Sequence, residues 1–339
     1  MTDRIAVDVM GGDDAPRAVL EGVLQACRAE GAQALDPSRL LLVGDRERVE
    51  AGLAQLASEG QSVPEFAIQH ASQVIDMHDS PAAALRSKPD SSISVCVGAV
   101  KAGAAGAAVS MGNTGACVGA ATLGLGTLEG VRRPGIAVGI DLTGSPMVLL
   151  DMGANVAPKP EHLVQYGLMG RVFAESCLGV EAARVGLLNI GEESSKGTDL
   201  TKAAFDGMSA SEPRFVGNVE PSELFQHRAD VVVTDGFTGN VVLKLMEGFA
   251  GFLFGLFTQE LASQGATWAK ESMGRLAGKI DYSEYGGALL LGVRGVVVIG
   301  HGRSDANAVA NALGVAARAL DQGLNERIVA GLSEAAARA

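Results

Sequence analysis

Apolar residues in this chain fall into short unbroken runs, and between most of these runs they recur at helical spacing. The strand-like runs lie near 3–9, 39–44, 65–69, 106–109, 135–140, 146–150, 184–190, 213–217, 230–234 and 295–299, and the helix-like segments near 15–30, 45–58, 113–125, 160–177, 197–210, 237–262 and 304–336. A strand covered by helices on both faces reads as a continuous apolar run, whereas a half-solvated strand alternates. The alternation of the two patterns predicts an α/β chain with a largely parallel sheet. Pro160 and the Ser304-Asp305 pair mark helix starts. No linker, low-complexity tract or charge block divides the sequence, so it reads as a single α/β domain over 1–339 with a helical excursion at about 245–285.

The ends of the runs carry the chemistry. Ile5-Ala-Val-Asp-Val-Met-Gly-Gly12, Ala107-Ala-Val-Ser-Met-Gly-Asn-Thr-Gly-Ala116, Met147-Val-Leu-Leu-Asp-Met-Gly-Ala-Asn155, Val185 to Gly197, Asp230 to Lys244 and Val296 to Ser304 each pass from apolar residues into a turn of small polar ones. Such loops gather at the carboxyl edge of a parallel sheet, where ligands bind. Free N–H groups at a helix N-terminus, with the helix dipole behind them, suit phosphate or another oxyanion. Asp8, Asp151 and Asp235 also sit at or just past strand ends. A carboxylate there repels phosphate, so these three read as structural or lysine-orienting.

Composition narrows the picture. With 339 residues, 45 glycines and 4% aromatics, the chain suits aliphatic packing and tight loops rather than a β-sandwich. A net charge of −12 opposes nonspecific nucleic-acid binding, which needs a basic surface. Cys27, Cys96, Cys117 and Cys177 are widely separated and read as reduced core residues. No apolar secretory segment opens the chain, which points to the cytoplasm. Val241 to Phe257 is strongly apolar but carries Lys244 and Glu247 and falls short of the roughly 20 residues of a spanning helix. With Phe249, Phe252, Phe254 and Phe257 around it, this helix is expected to be buried, dimerised or pressed on a membrane surface. The Gly-x-x-x-x-Gly-Lys-Ser/Thr loop, Gly-x-Gly-x-x-Gly, His-Glu-x-x-His and Gly-x-Ser-x-Gly are all missing, which leaves nucleotide, transition-metal and serine-nucleophile chemistry without support.

Taken in order, Ile5 to Asp13, Ser110 to Ala116, Arg133-Pro-Gly135, Asp151 to Asn155 with Lys159-Pro-Glu-His162, Gly186 to Glu192 with Lys196-Gly197, Thr234 to Lys244, Tyr282 to Gly287 and His301-Gly302 resemble the PlsX family of phosphate acyltransferases over nearly the whole chain. Asp14 and Pro221-Ser222 depart from the family pattern. The resemblance implies a Rossmann-like three-layer α/β/α fold similar to phosphotransacetylases, no cofactor, and a homodimer that is cytoplasmic and peripherally membrane-associated. It implies transfer of a long-chain acyl group from acyl-[acyl carrier protein] to inorganic phosphate for phospholipid synthesis, with the membrane glycerol-3-phosphate acyltransferase as a further partner. A short-chain phosphotransacetylase acting on acyl-coenzyme A and a membrane-recruited scaffold are the competing functions.

For the implied reaction, the loops 110–115 and 236–240 are expected to cradle phosphate through Ser110, Asn113, Thr114, Gly115, Gly236, Thr238 and Gly239. Lys196 is expected as a point charge, Asn240 and Asn113 as oxyanion or phosphate donors, and His301 as a donor to the oxyanion or to the departing thiolate. Each has a plainer alternative: Lys196 paired with Glu192 or Glu193, the asparagines capping helices, His301 bonded to a buried carbonyl.

Overall fold

The computed structural model describes residues 2–29, 34–140, 145–263 and 286–338. Packing divides the chain into two compact units, Met1–Pro134 with Gly286–Glu334 and Gly135–Tyr285 with Ala335–Ala339.

In the first unit, β1 (Ile5–Asp8), β2 (Leu40–Gly44), β3 (Ala67–His70), β4 (Ala107–Ser110), β10 (Ala288–Leu291) and β11 (Val296–Ile299) lie in the order β3-β2-β1-β4-β11-β10. Neighbours run parallel except β10 and β11. Every position of β1, β4 and β11 is buried, which requires cover on both faces. The cover comes from α1 (Arg17–Arg28), α2 (Arg46–Ser58), α3 (Pro81–Ser87), α4 (Ser92–Lys101), α5 (Thr114–Gly124) and α9 (Ala306–Asp321). Helices α1 and α9 cross closely at Gly22, where a Cβ would lie 2.7 Å from the Ala306 carbonyl.

In the second unit, β5 (Gly135–Ile140), β6 (Met147–Leu150), β7 (Val185–Leu188), β8 (Phe215–Val219) and β9 (Val231–Val233) take the order β5-β6-β9-β7-β8. Only β5 and β6 pair antiparallel. Helix α6 (Pro160–Cys177) starts on its proline, and it nests against β9 through Gly170, whose Cβ would stand 2.6 Å from Val231 Cγ1. Helices α7 (Asp199–Ser211) and α8 (Gly236–Ser263) complete the unit. Each unit is thus a mostly parallel sheet flanked by helices, the α/β class that the apolar runs predict.

The departures from expectation are local. Helices α3 and α4 and strand β10 fall outside the expected elements, because Pro81 to Ser87 is short, Ser92 to Lys101 mixes serines with its apolar positions and Ala288 to Leu291 lies close to the next run. The expected helix at 304–336 is two helices, with α10 (Leu324–Arg338) starting after Gly323, whose φ of +60° ends α9.

Helix α8 corrects the reading of the apolar segment. Its 28 residues span about 40 Å, so in length and composition it is sufficient to cross a membrane. Nor do the described residues bury it: an 18-residue stretch within Gly236–Leu261 has a mean hydropathy of 1.6, and 6% of that stretch is buried. Phe249, Phe252 and Phe257 are 56%, 60% and 54% exposed. Composition cannot distinguish a self-buried apolar helix from a bare one, since both have the same residues. Trp268, Lys270, Arg275 and Lys279, whose aromatic and basic character suits anionic headgroups or an acidic carrier protein, lie outside the described residues, as do Tyr282 to Tyr285.

Candidate functional site

In the first unit, the register pairs Asp8 with Ser110 and Ser110 with Ile299, so β1, β4 and β11 end level and deliver three loops to one edge. Asp8, wholly buried, accepts the Ser110 hydroxyl at 2.6 Å and the Met10 N–H at 3.1 Å. Burial pushes the Asp8 carboxyl above its ordinary value, against the opposing pull of the Ser110, Ser92, Met10 and Gly11 hydrogen bonds. Ser110 Oγ in turn accepts the Gly112 N–H at 3.0 Å, so this hydroxyl ties two loops together. Gly11 has no room for a side chain, because its Cβ would sit 2.7 Å from both Asp8 Oδ2 and Gly112 N.

Asn113 caps α5. Its Oδ1 accepts the Ala116 N–H at 3.0 Å, and its Nδ2 faces the carbonyls of Asp76, Met77 and Asp79 at 3.2, 3.1 and 3.1 Å. Both ends of the amide are engaged, so Asn113 fastens the 76–79 loop to the start of α5. Thr114 and Gly115 follow on the exposed first turn, and their N–H groups have no hydrogen-bond acceptor among the described residues. On the third loop, His301 Nδ1 accepts the Arg303 N–H at 3.1 Å, which places the proton of the neutral ring on Nε2. The His301 N–H donates to Ser304 Oγ at 3.1 Å, and Asp13 N–H donates to the Gly302 carbonyl at 2.7 Å.

The second unit repeats the plan with different chemistry. Buried Asp151 accepts the N–H groups of Ile136, Gly153, Ala154 and Asn155 at 2.9, 3.1, 2.9 and 2.7 Å, and burial again raises its carboxyl above the ordinary value. Its loop supports the start of α8, where Gly236 N–H donates to the Asn155 carbonyl at 2.8 Å. Asp235 occupies the capping position. Its Oδ1 accepts the Phe237 and Thr238 N–H groups at 3.0 and 2.9 Å, its Oδ2 accepts the Thr238 hydroxyl at 2.7 Å, and its carbonyl accepts the Gly239 N–H at 2.9 Å. The groups of Gly236, Thr238 and Gly239 that the sequence suggested for phosphate are therefore committed within the protein, beside a carboxylate. Asn240, one residue on, is exposed. Lys196 is exposed too and forms no ion pair among the described residues, since Glu192 pairs with Arg228 at 3.0 Å.

A family model described as "Fatty acid synthesis protein" matches residues 3–327. A protein named phosphate acyltransferase from Desulfitobacterium hafniense (strain Y51) is 43% identical over 331 residues, covering 96% of both chains. The chain belongs to the PlsX family of phosphate acyltransferases. A second relative of that name, from Bacillus licheniformis, is 42% identical over 316 residues, 91% of this chain and 92% of its own. Among solved structures, the EutD phosphotransacetylase from Staphylococcus aureus superposes with a TM-score of 0.60 at 14% identity, covering 93% of each chain. A phosphotransacetylase from Streptococcus pyogenes gives 0.58 at 16% identity, covering 94% of each. These two likenesses establish the α/β fold that the resemblance implied.

As a member of this family the protein is an acyltransferase. The sequence brought these loops into view, but it did not distinguish their states. In Ser110 and Asn113 it found residues whose side chains are engaged in holding loops, and in Thr114, Gly115, Lys196 and Asn240 it found groups that face solvent. It missed the Asp76–Asp79 loop altogether, because nothing in that segment repeats the strand-to-glycine pattern of the others. Cys96 and Cys117 lie beneath Ser110 as free, buried thiols, and burial pushes Cys117 up to about 12, so neither is a nucleophile at neutral pH.

Proposed function

We propose that this chain transfers a long-chain acyl group from acyl-[acyl carrier protein] to inorganic phosphate, giving acyl phosphate for phospholipid synthesis. The observation that carries this reading is the first turn of α5, capped by a neutral amide, with the Thr114 and Gly115 N–H groups uncommitted. A helix start of this kind binds a dianion. A phosphate oxygen attacks the thioester carbonyl, the tetrahedral oxyanion collapses, the C–S bond breaks and the thiolate takes a proton. Phosphate is nucleophilic at neutral pH, so the protein's tasks are positioning and charge stabilisation. His301, on a loop of the same unit as α5, is the candidate proton donor to the departing thiolate, while Lys196 and Asn240 are exposed on the second unit.

The same reading takes the protein as a cytoplasmic homodimer held at the membrane surface near the glycerol-3-phosphate acyltransferase. Its support is the bare apolar surface of α8, which has to be covered by a partner subunit or by lipid.

The test is turnover by the purified protein with palmitoyl-[acyl carrier protein] and inorganic phosphate, with palmitoyl- and acetyl-coenzyme A in parallel. Acyl phosphate trapped as the hydroxamate should appear in step with free thiol when the carrier protein is the donor. Faster turnover of acetyl-coenzyme A would favour the short-chain phosphotransacetylase suggested by the fold, and no turnover of any donor would leave a scaffold.

A further inference from the structure

The turn at 76–79, in the first unit, closes on itself before it meets Asn113. Asp79 N–H donates to the Asp76 carbonyl at 3.1 Å, and Asp76 N–H donates to Asp79 Oδ2 at 2.9 Å. Its Asp76, Met77 and Asp79 carbonyls then converge on Asn113 Nδ2 at 3.2, 3.1 and 3.1 Å. An amide nitrogen has two protons, so three carbonyls share two donors, and together they fix which way the Asn113 amide faces. Turned over, the amide would set Oδ1 against three carbonyls and lose its cap on the Ala116 N–H. The same segment touches the start of α5 and the His301 loop directly: a Cβ on Gly115 would lie 2.6 Å from Pro81 Cγ, and one on Gly302 2.8 Å from Met77 Cε.

One side chain holds this turn. Lys88 Nζ donates to Asp79 Oδ2 at 2.6 Å, to the Val74 carbonyl at 2.8 Å and to Asp76 Oδ2 at 3.4 Å, so its three ammonium protons are all engaged on residues 74–79. The base of the excursion is tied separately. Asp90 Oδ2 accepts the Ser72 N–H at 2.8 Å, Gln73 N–H donates to the Asp90 carbonyl at 3.2 Å, and Ser92 N–H donates to the Gln73 carbonyl at 3.1 Å. Removing the Lys88 ammonium therefore loosens the tip and leaves the base closed. The Lys88 pairs are open to solvent, with the Asp76 side chain 73% exposed, and pairs of that kind contribute little to stability. Their effect falls on geometry instead. If the tip drifts, the Asn113 amide is free to turn, and carbonyls without a donor lie beside the helix start, where their partial negative charge opposes an anion.

We propose that Lys88 is a positioning residue for phosphate: by holding the 76–79 turn it sets the Asn113 amide that keeps the first turn of α5 open. The inference rests on the reading of that first turn as the phosphate site. Lys88→Met keeps the length of the stem and removes all three donors, whereas Lys88→Gln shortens the reach and keeps a neutral donor. In saturation kinetics with inorganic phosphate and palmitoyl-[acyl carrier protein], both variants should raise the KM for phosphate about ten-fold while kcat and the carrier-protein KM stay within a factor of about three. The unfolding temperature of Lys88→Met should fall by no more than about 4 °C. Losses spread equally over kcat and both KM values would mark a general disturbance and contradict the proposal.

Thr114→Pro, which deletes one N–H of the α5 start, is the control. If it leaves the KM for phosphate unchanged, the reading of α5 fails and Lys88 has nothing to position. If it is impaired while folded Lys88 variants are normal, the inference about Lys88 alone is overturned. Because Lys88 acts through Asn113, the double variant Asn113→Ser/Lys88→Met should be no worse than Asn113→Ser, and additive losses would contradict the proposal. Failure of both Lys88 variants to fold would make Lys88 a stability residue and end it.

Discussion

Helices α5 and α8 begin in the same way, each just past a strand end and each beside a loop tied down by a buried aspartate, yet one start is open and the other closed. At α5 the cap is Asn113, a neutral amide that satisfies the Ala116 N–H and leaves the Thr114 and Gly115 N–H groups to solvent. At α8 the cap is Asp235, whose carboxylate takes the N–H groups of Phe237 and Thr238 and the Thr238 hydroxyl. A helix start carries partial positive charge. Asp235 neutralises it from within, whereas Asn113 leaves it facing solvent. A glycine-rich turn before a helix is therefore insufficient evidence of an anion site, because the charge of the capping residue decides whether the dipole is already answered.

The largest effect should come from making the open start resemble the closed one. Asn113→Asp preserves the cap but sets a carboxylate where phosphate is proposed to bind, so kcat/KM for phosphate should fall by about 10²-fold, the size linked to a lost preorganised donor. The change also deprives the Asp76, Met77 and Asp79 carbonyls of their donor, so Asn113→Ser serves as the comparison: it keeps a neutral cap and loses the same clasp. Phosphate saturation curves should show the aspartate variant far weaker than the serine variant. Equal curves would mean that the charge of the cap is irrelevant and that the comparison of the two helices teaches nothing about the ligand.

A smaller and cleaner change removes one N–H without touching charge. Thr114 is the first helical residue of α5, where proline is tolerated, and Asn113, at φ −58° and ψ 111°, lies outside the α region that a following proline disfavours. Thr114→Pro should raise the KM for phosphate about ten-fold and leave the unfolding temperature nearly unchanged. An unaltered KM would show that this N–H meets water only.

The contrast between the helices also marks what the sequence disclosed. Strands were legible because burial on both faces writes itself as an unbroken apolar run, and the proline at the start of α6 and Asp305 before α9 gave true helix starts. The loop tips were legible as a set for the same reason. Their states were not, because Asn113 and Asp235 are both good caps and the sequence alone does not say which N–H groups they consume. The partners of Asn113 are three backbone carbonyls in a segment more than thirty positions earlier, and backbone carbonyls leave no trace in side-chain identity. The bare surface of α8 was likewise invisible to composition.

The smallest effect concerns the aspartate beneath the open start. Asp8 holds Ser110, and its carboxyl is raised above the unfolded value chiefly by burial. Below the ordinary carboxylate range both folded and unfolded chains are protonated, and Asp8 then contributes its full share of stability. As pH rises through that range the unfolded chain releases its proton first, so stability declines until the folded pKa is passed and levels off above it. The slope from one such group is at most about 1.4 kcal/mol per pH unit. Asp8→Asn cannot ionise, can still accept the Met10 N–H, and should be free of this decline. Urea unfolding between about pH 4 and 8 should therefore show the variant gaining on the wild type as pH rises. If the two curves stay parallel, the Ser110, Ser92, Met10 and Gly11 hydrogen bonds offset burial and Asp8 is an ordinary carboxylate. In that case the α5 edge would rest on a charged anchor, and only the neutrality of Asn113 would separate it from the closed start of α8.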